Sequence, residues 1–295
     1  MLSAVICNLL GAVVWNADPV LFSFGPLAVR WYGLAFAVGF TVGYALVARM
    51  FRHEGAPESW LGSLLIYVVI ATVVGARLGH VFFYEWDYYS AHPEKILRIW
   101  EGGLASHGGT IALIIALFIW SWLVSKKPAS WIFDKIVVAI AFVGGLIRLG
   151  NLMNSEIYGG PTDLPWGFIF VRDGQTVPAH PTQIYEALCY FLLFGLLMWM
   201  YWKRNDQERP WLITGVFFIG IFLPRFLIEY VKNVQVDSEY EMIATYGMNL
   251  GQMLSIPFIL LGVGLVIWAM YRPRQHFAFP DRYADEDPDP KSKKK

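Results

Sequence analysis

The sequence predicts an all-α polytopic membrane protein with about seven transmembrane helices, and three observations carry that prediction. Hydrophobic residues make up 56% of the chain and charged residues only 16%, whereas an ordinary soluble domain carries roughly 25% charged residues. The apolar residues fall into repeated blocks of about 20, the length that a helix needs to cross the hydrocarbon. Many Trp and Tyr residues stand at the edges of these blocks, as is typical of membrane interfaces.

The apolar blocks define seven predicted spans, which are Leu27–Ala48, Trp60–Phe83, Leu104–Val124, Trp131–Leu149, Ile184–Trp202, Trp211–Tyr230 and Leu250–Tyr271. An odd number of spans places the two ends of the chain on opposite sides of the membrane. We therefore divide the chain into an interfacial segment at the outer face (1–24), a seven-helix transmembrane domain (25–272) and a disordered cytoplasmic tail (273–295). Within the first segment, Met1–Trp15 lacks the basic start of a signal peptide and is predicted to be a helix or anchor lying on the membrane.

Basic residues decide the predicted orientation, because cytoplasmic loops carry an excess of Lys and Arg. One set of loops and the C-terminal tail are rich in both, whereas the other loops mix a few basic residues with several acidic ones. The sequence therefore predicts an N-terminus outside and a cytoplasmic C-terminus. Two long outer loops, 84–103 and 150–183, contain many aromatic residues, which favours a small packed cap over disorder.

Composition and cysteine usage exclude several kinds of partner and site. The formal net charge is zero, so the sequence predicts no nucleic-acid partner. Cys7 and Cys189 lie in apolar runs without the spacing of metal ligands. We therefore predict neither a disulfide framework nor a metal site.

The most unusual stretch is 148–160, where an apolar span suddenly acquires polar residues between glycines. A charge near membrane depth costs several kcal/mol unless it is paired or faces a wet cavity. We therefore interpret this cluster as a functional site. The alternative is an arginine at a helix end that snorkels to the interface. The polar members are Arg148, Asn151, Asn154 and Glu156.

Two further motifs place polar groups at the predicted outer side. Arg225 and Glu229 are four residues apart on the sixth span and can pair on one helix face; the alternative is a pair that only neutralises itself. His107 lies at the start of the third span between a serine and two glycines. Exposed N–H groups there can bind an anion and the imidazole can transfer a proton; the alternative is a helix cap with an interfacial histidine.

Arginine binds phosphate bidentately and stays charged, so several arginines with a histidine and a glutamate suit an anionic lipid headgroup. No Ser-His-Asp order, GxSxG elbow, HExxH motif or phosphate loop occurs in the sequence. The residues alone therefore predict binding or transformation of a phosphate-bearing lipid. A transporter or flippase for an anionic lipid or solute, and a non-catalytic lipid-binding scaffold, remain open.

Seven motifs, in a fixed order, give the chain a resemblance to one family. They are Arg30–Gly33, Gly75–Gly79, Gly102–Gly109, Arg148–Gly159 with Trp166-Gly167, His180–Ala187, Arg225–Glu229 and Gly251–Pro257. The chain resembles the prolipoprotein diacylglyceryl transferases, bacterial enzymes that lipidate the lipobox cysteine of exported prolipoproteins. The resemblance implies transfer of the diacylglyceryl group of phosphatidylglycerol to that cysteine thiol, with release of glycerol phosphate.

The resemblance also implies roles for individual residues. The expected catalytic residues are His107, Arg148, Arg225, Glu229 and Tyr32. The expected substrate-binding residues are Arg148, Asn151, Asn154, Glu156, Gly159, Arg77 and Gln183. Arg148 and Arg225 would clamp the phosphate and stabilise it as it leaves. His107 would deprotonate the thiol, and Glu229 would orient Arg225.

The resemblance further implies the partners and the compartment. The expected partners are phosphatidylglycerol, prolipoprotein signal peptides with a lipobox cysteine, and the bilayer itself. No cofactor follows from the motifs. The expected location is the bacterial cytoplasmic (inner) membrane, with the active site toward its outer, periplasmic face.

Overall fold

The computed structural model describes residues 11–25, 27–99, 102–233, 238–277 and 279. Within these residues the chain forms nine α-helices: α1 (Trp31–Glu54), α2 (Glu58–Phe83), α3 (Trp86–Ala91), α4 (Ser106–Trp120), α5 (Ala129–Met153), α6 (Thr182–Arg204), α7 (Leu212–Ile228), α8 (Ser238–Tyr246) and α9 (Leu250–Tyr271). Seven of them are long and apolar enough to cross a membrane, where α4 is continued by the π-helical turn Ser121–Ser125 and α7 by the 3-10 turn Glu229–Val231. The exceptions are the short α3 and α8. The predicted fold class, a helical membrane protein with seven spans, is therefore confirmed.

Two helix ends differ from the predicted span ends in a way that matters for the site. α1 begins at Trp31 rather than at Leu27, because Leu27–Arg30 pairs as a strand. α5 continues beyond the predicted end at Leu149 as far as Met153. Arg148 and Asn151 therefore stand three residues apart on one face of the same helix.

Four short strands lie in the described chain: β1 (Val13–Trp15), β2 (Val20–Phe24), β3 (Leu27–Arg30) and β4 (Phe168–Phe170). β1 pairs with β4 in parallel, and β2 pairs with β3 as an antiparallel hairpin. The helix or anchor predicted for Met1–Trp15 is thus a strand at residues 13–15, and residues 1–10 lie outside the described part. The partner of this strand is far along the chain, so the local composition could not reveal it. Most of the predicted tail (273–295) also lies outside the described residues.

The loop between α5 and α6 packs into a small core together with β1. Leu152, Phe170 and Ala179 form its buried centre, and Trp15 Nε1 donates a hydrogen bond to the Leu152 main-chain oxygen at 2.9 Å. The Tyr158 hydroxyl donates to Asp173 and accepts from Gln175. This loop is therefore an ordered, packed structure, as its aromatic content predicted.

The chain forms two compact units. Among the described residues, the first unit contains the chain up to Ala45 and Phe133–Arg274, and the second contains Leu46–Ile132 and the chain from Gln275 onward. The helices α1 and α5 each contribute one part to either unit.

Buried contacts in the first unit fix where α7 begins and how closely it approaches α9. The fully buried Asp134 caps α7 by accepting hydrogen bonds from the Trp211 and Thr214 main-chain nitrogens at 2.8 Å each. Gly215 on α7 faces Gly262 on α9, and a Cβ on either would lie less than 3 Å from the opposing carbonyl oxygen (2.9 and 2.8 Å). Small residues of this kind let membrane helices pack backbone to backbone.

In the second unit, glycines likewise allow close backbone packing where α2 crosses α4. A Cβ at Gly79 would lie 2.6 Å from the Gly108 Cα atom. Gly108 directly follows His107 in the sequence. This close approach shows that a glycine next to the predicted base serves helix packing. At the other end of α4, Trp120 stacks with Trp131, and its Nε1 donates to Ser63 Oγ at 2.9 Å.

Candidate active site

Arg148 lies near the end of α5 and is paired inside the protein. Its Nε atom forms an ion pair with Glu186 Oε2 on the second turn of α6, and its Nη1 lies 3.4 Å from Asn151 Oδ1. The Arg148 side chain is 15% exposed and that of Glu186 only 1%. A charge this deep requires a partner, and Glu186 supplies it. Arg148 is therefore not an arginine that merely snorkels to the interface.

Lys232 extends this pairing toward the end of α7. Its Nζ atom lies 2.7 Å from Glu186 Oε1 and 2.8 Å from Glu229 Oε1. Glu229 also pairs with Arg225, at 3.8 Å from the arginine Nε, as their spacing predicted. The five side chains form an alternating series of cations and carboxylates, which we call the charge network: Arg148, Glu186, Lys232, Glu229 and Arg225.

The charge network carries a surplus of positive charge. It contains three cations and two carboxylates, so its net charge is about +1 when every group is ionised. The side chains of Lys232, Glu186 and Glu229 are 3%, 1% and 9% exposed, and a buried charge without a counter-charge is costly. The Arg225 side chain is 35% exposed, so the surplus charge of the network is open to solvent or to an anion at this end.

The start of α9 holds Glu229 from the opposite side. Asn249 Nδ2 donates to Glu229 Oε2 at 3.2 Å and lies 3.4 Å from its main-chain oxygen. Asn249 is itself fixed as the N-cap of α9, where it exchanges hydrogen bonds with Gln252 in a capping box. Gly251 leaves room for the carboxylate, since a Cβ there would lie 2.6 Å from Glu229 Cδ.

Glu156 is the centre of the turn that follows α5. Its Oε1 accepts hydrogen bonds from Asn151 Nδ2 at 2.6 Å and Asn154 Nδ2 at 3.3 Å. The flanking residues Ser155 and Ile157 have φ angles of 56° and 60°. This is the left-handed backbone conformation, which residues other than glycine rarely adopt. Such strain persists only where surrounding contacts impose it, and it clusters at functional sites. The structure thus brings the three predicted polar residues of this stretch together.

The beginning of α6 holds this turn in place. Gln183 Nε2 donates to the Glu156 main-chain oxygen at 2.7 Å, and the Gln183 side chain is buried. The Gly159 nitrogen donates to the His180 oxygen at 2.8 Å, and a Cβ at Gly159 would lie 2.7 Å from His180 Cβ. Both residues therefore support the loop. The contact of Gln183 and Gly159 with substrate stays a prediction.

Tyr32 stands at the start of α1 and packs against the end of α5. A Cβ at Gly150 would lie 2.8 Å from Tyr32 Cδ2, and the hydroxyl interacts with Asn151, Glu156 and Arg148. Beside this contact lies an apolar cavity of about 240 Å³, lined by residues of α1 between 31 and 38 and of α5 between 146 and 153. A polar cluster that borders an apolar cavity suits an amphipathic ligand.

Arg77, on α2 of the second unit, has a different environment. Its guanidinium lies within hydrogen-bonding range of five main-chain oxygens, at 2.6 to 3.4 Å, which belong to Lys95, Ile96, Arg98, Gly102 and Gly103. It also lies over the Tyr89 ring, and the residue is 3% exposed. Arg77 therefore organises the loop between α3 and α4, and its predicted contact with substrate gains no support from these bonds.

His107 is exposed on the first turn of α4, also in the second unit. The exposed imidazole is accessible for proton transfer, but its role as the base stays a prediction. Among the described residues, no group of three or more His, Cys, Asp or Glu side chains is arranged to hold a metal ion.

The sequence as a whole matches one family over most of its length. A family model described as "Prolipoprotein diacylglyceryl transferase" matches residues 19–268. The chain belongs to this family. It is 50% identical to the phosphatidylglycerol–prolipoprotein diacylglyceryl transferase of Porphyromonas gingivalis over 271 residues, which cover 88% of this chain and 96% of the relative.

Two further relatives in the prolipoprotein diacylglyceryl transferase family carry the same name. The protein from Chloroherpeton thalassium is 44% identical over 254 residues, covering 86% of this chain and 93% of the relative. The protein from Bacteroides fragilis is 39% identical over 271 residues, covering 87% and 95%. The family resemblance that the motifs indicated is therefore confirmed.

Three site residues of this family member were missed by the sequence prediction. Glu186 lies within the predicted fifth span, where an acidic residue is itself a signal of function. Lys232 lies three residues after Glu229, about one helical turn further along the chain, and this spacing brings its side chain next to the Glu229 carboxylate. Asn249 directly precedes the seventh predicted span, and this position predicts a helix cap but no contact with Glu229.

Proposed function

We propose that this multi-pass membrane protein transfers the diacylglyceryl group of phosphatidylglycerol to the thiol of a lipobox cysteine in a prolipoprotein signal peptide. The products are a thioether-linked lipoprotein precursor and glycerol phosphate. Membership of the prolipoprotein diacylglyceryl transferase family supports this reaction. It also favours a transferase over a transporter or flippase.

The observation that carries the proposal is the buried, positively charged network beside an apolar cavity. A phosphatidylglycerol molecule has one phosphodiester charge, which matches the surplus of the charge network, and acyl chains that suit the cavity at Gly150. Arg148 and Arg225 each hold a carboxylate through Nε. Their terminal nitrogens are the groups best suited to clamp a phosphate bidentately.

The chemistry needs a thiolate and a stabilised leaving group. In the proposed reaction the cysteine thiol loses its proton to a base, a role for which the family resemblance favours His107, and the sulfur attacks the glyceryl carbon that bears the phosphate ester. The C–O bond breaks, and its electron pair stays on the phosphate of the departing glycerol phosphate. Arg148 and Arg225 stabilise the charge that develops on this oxygen. Asn151, Asn154 and Glu156 shape the headgroup site, and Tyr32 closes it next to the cavity.

We propose the bacterial inner membrane as the location, with the site at the periplasmic face. The support is the distribution of Lys and Arg in the loops, which places the ends of the spans that carry Arg148, Arg225 and His107 outside. A signal peptide emerging on that side would present its cysteine to the site.

A reconstituted assay tests the proposed function. Purified protein, phosphatidylglycerol and a lipobox peptide are incubated, and glycerol phosphate release and peptide mass are followed. We expect stoichiometric release and a lipid-modified peptide. The control is the His107→Ala/Arg148→Ala double variant. Release no greater than with this control would contradict the transferase, and lipid movement across proteoliposomes without covalent change would instead indicate a transporter.

A further inference from the structure

Lys232 is the member of the charge network that contacts both carboxylates. Its Nζ atom binds Glu186 Oε1 and Glu229 Oε1 at 2.7 and 2.8 Å. The second oxygen of each carboxylate has another partner, Arg148 for Glu186 and Asn249 for Glu229. Removal of the lysine would therefore leave Glu186 Oε1 without its cation and leave Glu229 Oε1 with Arg225 alone, at 3.8 Å.

The main chain fixes Lys232 in this position. Lys232 forms an antiparallel bridge with Gly159, and the Gly160 nitrogen donates to the Val231 oxygen at 2.8 Å. Gly159 belongs to the loop that begins with Glu156. The lysine is thus held through its main chain by the same segment that builds the predicted headgroup site.

The charge count shows what Lys232 adds. Without it, Arg148 and Arg225 would face Glu186 and Glu229 as two balanced pairs, and neither carboxylate would be shared with a second cation. With it, each carboxylate is shared between two cations. The arginines then keep donors and positive charge for a further anion.

We propose that Lys232 is a positioning residue for the phospholipid site. By binding Glu186 and Glu229 it keeps each carboxylate from neutralising its arginine, and it supplies the surplus positive charge that retains the phosphate. The inference rests on the proposed function and adds a specific residue to it. Lys232 acts on the substrate through the two glutamates and the two arginines.

The first test compares Lys232→Met with Lys232→Arg in the glycerol phosphate assay. Loss of a buried cation from a paired group predicts a fall in kcat/KM of about 30-fold or more for Lys232→Met, mainly through a higher KM for phosphatidylglycerol. Lys232→Arg keeps the charge and should restore kcat/KM to within about 5-fold of wild type. A Lys232→Met variant with wild-type KM and kcat would overturn the inference, as would a Lys232→Arg variant no better than Lys232→Met.

Lys135 offers a matched control for the cost of removing a buried lysine. It lies on α5 in the same unit, it is 1% exposed, and it is not part of the charge network. Lys135→Met should lower the unfolding temperature while KM for phosphatidylglycerol stays at the wild-type value. An equal rise in KM in both variants would mean that Lys232 acts only through general stability, and would overturn the inference.

A double variant separates the effect of the lost positive charge on KM from the effect of reduced stability. Lys232→Met/Glu186→Gln leaves two cations and one carboxylate, which restores the surplus of about +1. We expect KM about 10-fold lower than in Lys232→Met alone. A double variant whose KM is no lower than that of Lys232→Met would overturn the inference. If Lys232→Met is too unstable to assay, the double variant is compared with wild type instead, and a KM more than about 10-fold above the wild-type value would overturn the inference. Wild-type protein that releases no glycerol phosphate would instead refute the proposed function, so the two failures are distinct.

Discussion

Two arginines in this chain sit in the same tripeptide, Arg-Leu-Gly, yet the structure gives them opposite environments. Arg77 directs its nitrogens at neutral main-chain oxygens of the loop between α3 and α4. Arg148 pairs with the carboxylate of Glu186, which is shared with Lys232. The first arrangement consumes the donors of the arginine within the fold. The second leaves a buried site with unbalanced positive charge.

The difference shows that a local motif does not define the role of an arginine. Neutral carbonyls solvate a guanidinium without cancelling its charge, but they occupy its N–H groups and tie it to one loop. A carboxylate at Nε fixes the orientation of the guanidinium, and Arg148 also contacts the side chains of Asn151 and Tyr190. On this basis we assign Arg77 to the architecture of the second unit, and the catalytic role of Arg148 stays a prediction.

Replacing each of the two arginines by lysine should affect activity most strongly at Arg148. Lysine keeps the charge but lacks the planar fork that binds phosphate and Glu186 together. We expect Arg148→Lys to lower kcat for glycerol phosphate release by about 100-fold or more. Near-normal turnover would mean that Arg148 is only an anchor at the helix end.

A smaller effect is expected where α9 touches the charge network. A Cβ in Gly251→Ala would lie 2.6 Å from Glu229 Cδ and displace the carboxylate from Lys232 and Asn249. We expect kcat/KM to fall about 10-fold. The matched control is Gly264→Ala on the same helix, where an added Cβ meets open space. Equal activity of the two variants would show that the position of Glu229 does not matter.

At Arg77 we expect a loss of stability without a change in substrate affinity. Arg77→Lys cannot reach all five main-chain oxygens, so the loop between α3 and α4 should loosen, at a cost of about 2 kcal/mol. Thermal unfolding and KM for phosphatidylglycerol are measured on the same preparation. A higher KM at an unchanged unfolding temperature would contradict the division between the two arginines.

The smallest effect concerns Tyr158, which contacts neither arginine. Burial and the hydrogen bond to Asp173 raise the pKa of Tyr158 to about 12, from about 10 in an unfolded chain. The folded state therefore favours the protonated phenol, and its stabilising contribution is complete below about pH 10 and is lost as the pH rises toward 12.

Tyr158→Phe should accordingly cost about 1 kcal/mol of stability at pH 8 and progressively less above pH 10. Unfolding temperatures of both proteins between pH 8 and 11.5 check this, and turnover at pH 8 should be unchanged. A difference that grows with pH would contradict the assigned protonation state.

Much of the fold was predictable because membrane spans obey a length rule that a single sequence displays. The blocks around Trp131 and Leu250 lie within a few residues of α5 and α9. The strand β1 was not predictable, because its hydrogen bonds go to β4, far along the chain. Its three residues carry no periodic signal that would identify a strand.

The site was predictable in its polar clusters and not in their connections. The spacing of Arg225 and Glu229 gave their pairing, since Glu229 directly follows the helix that carries Arg225 and stands four residues from it. The contact of Glu186 with Lys232 joins α6 to the end of α7, and no local pattern contains it. The role of Arg77 was hidden for the same reason, because its acceptors are main-chain oxygens of a distant loop.

A structure with bound phosphatidylglycerol would show directly whether the charge network binds the phosphate. We expect phosphate oxygens within about 3 Å of terminal nitrogens of both Arg148 and Arg225, with Lys232 still bound to Glu186 and Glu229 and an acyl chain in the cavity at Gly150. A phosphate bound to Arg77, or bound away from the charge network, would contradict it.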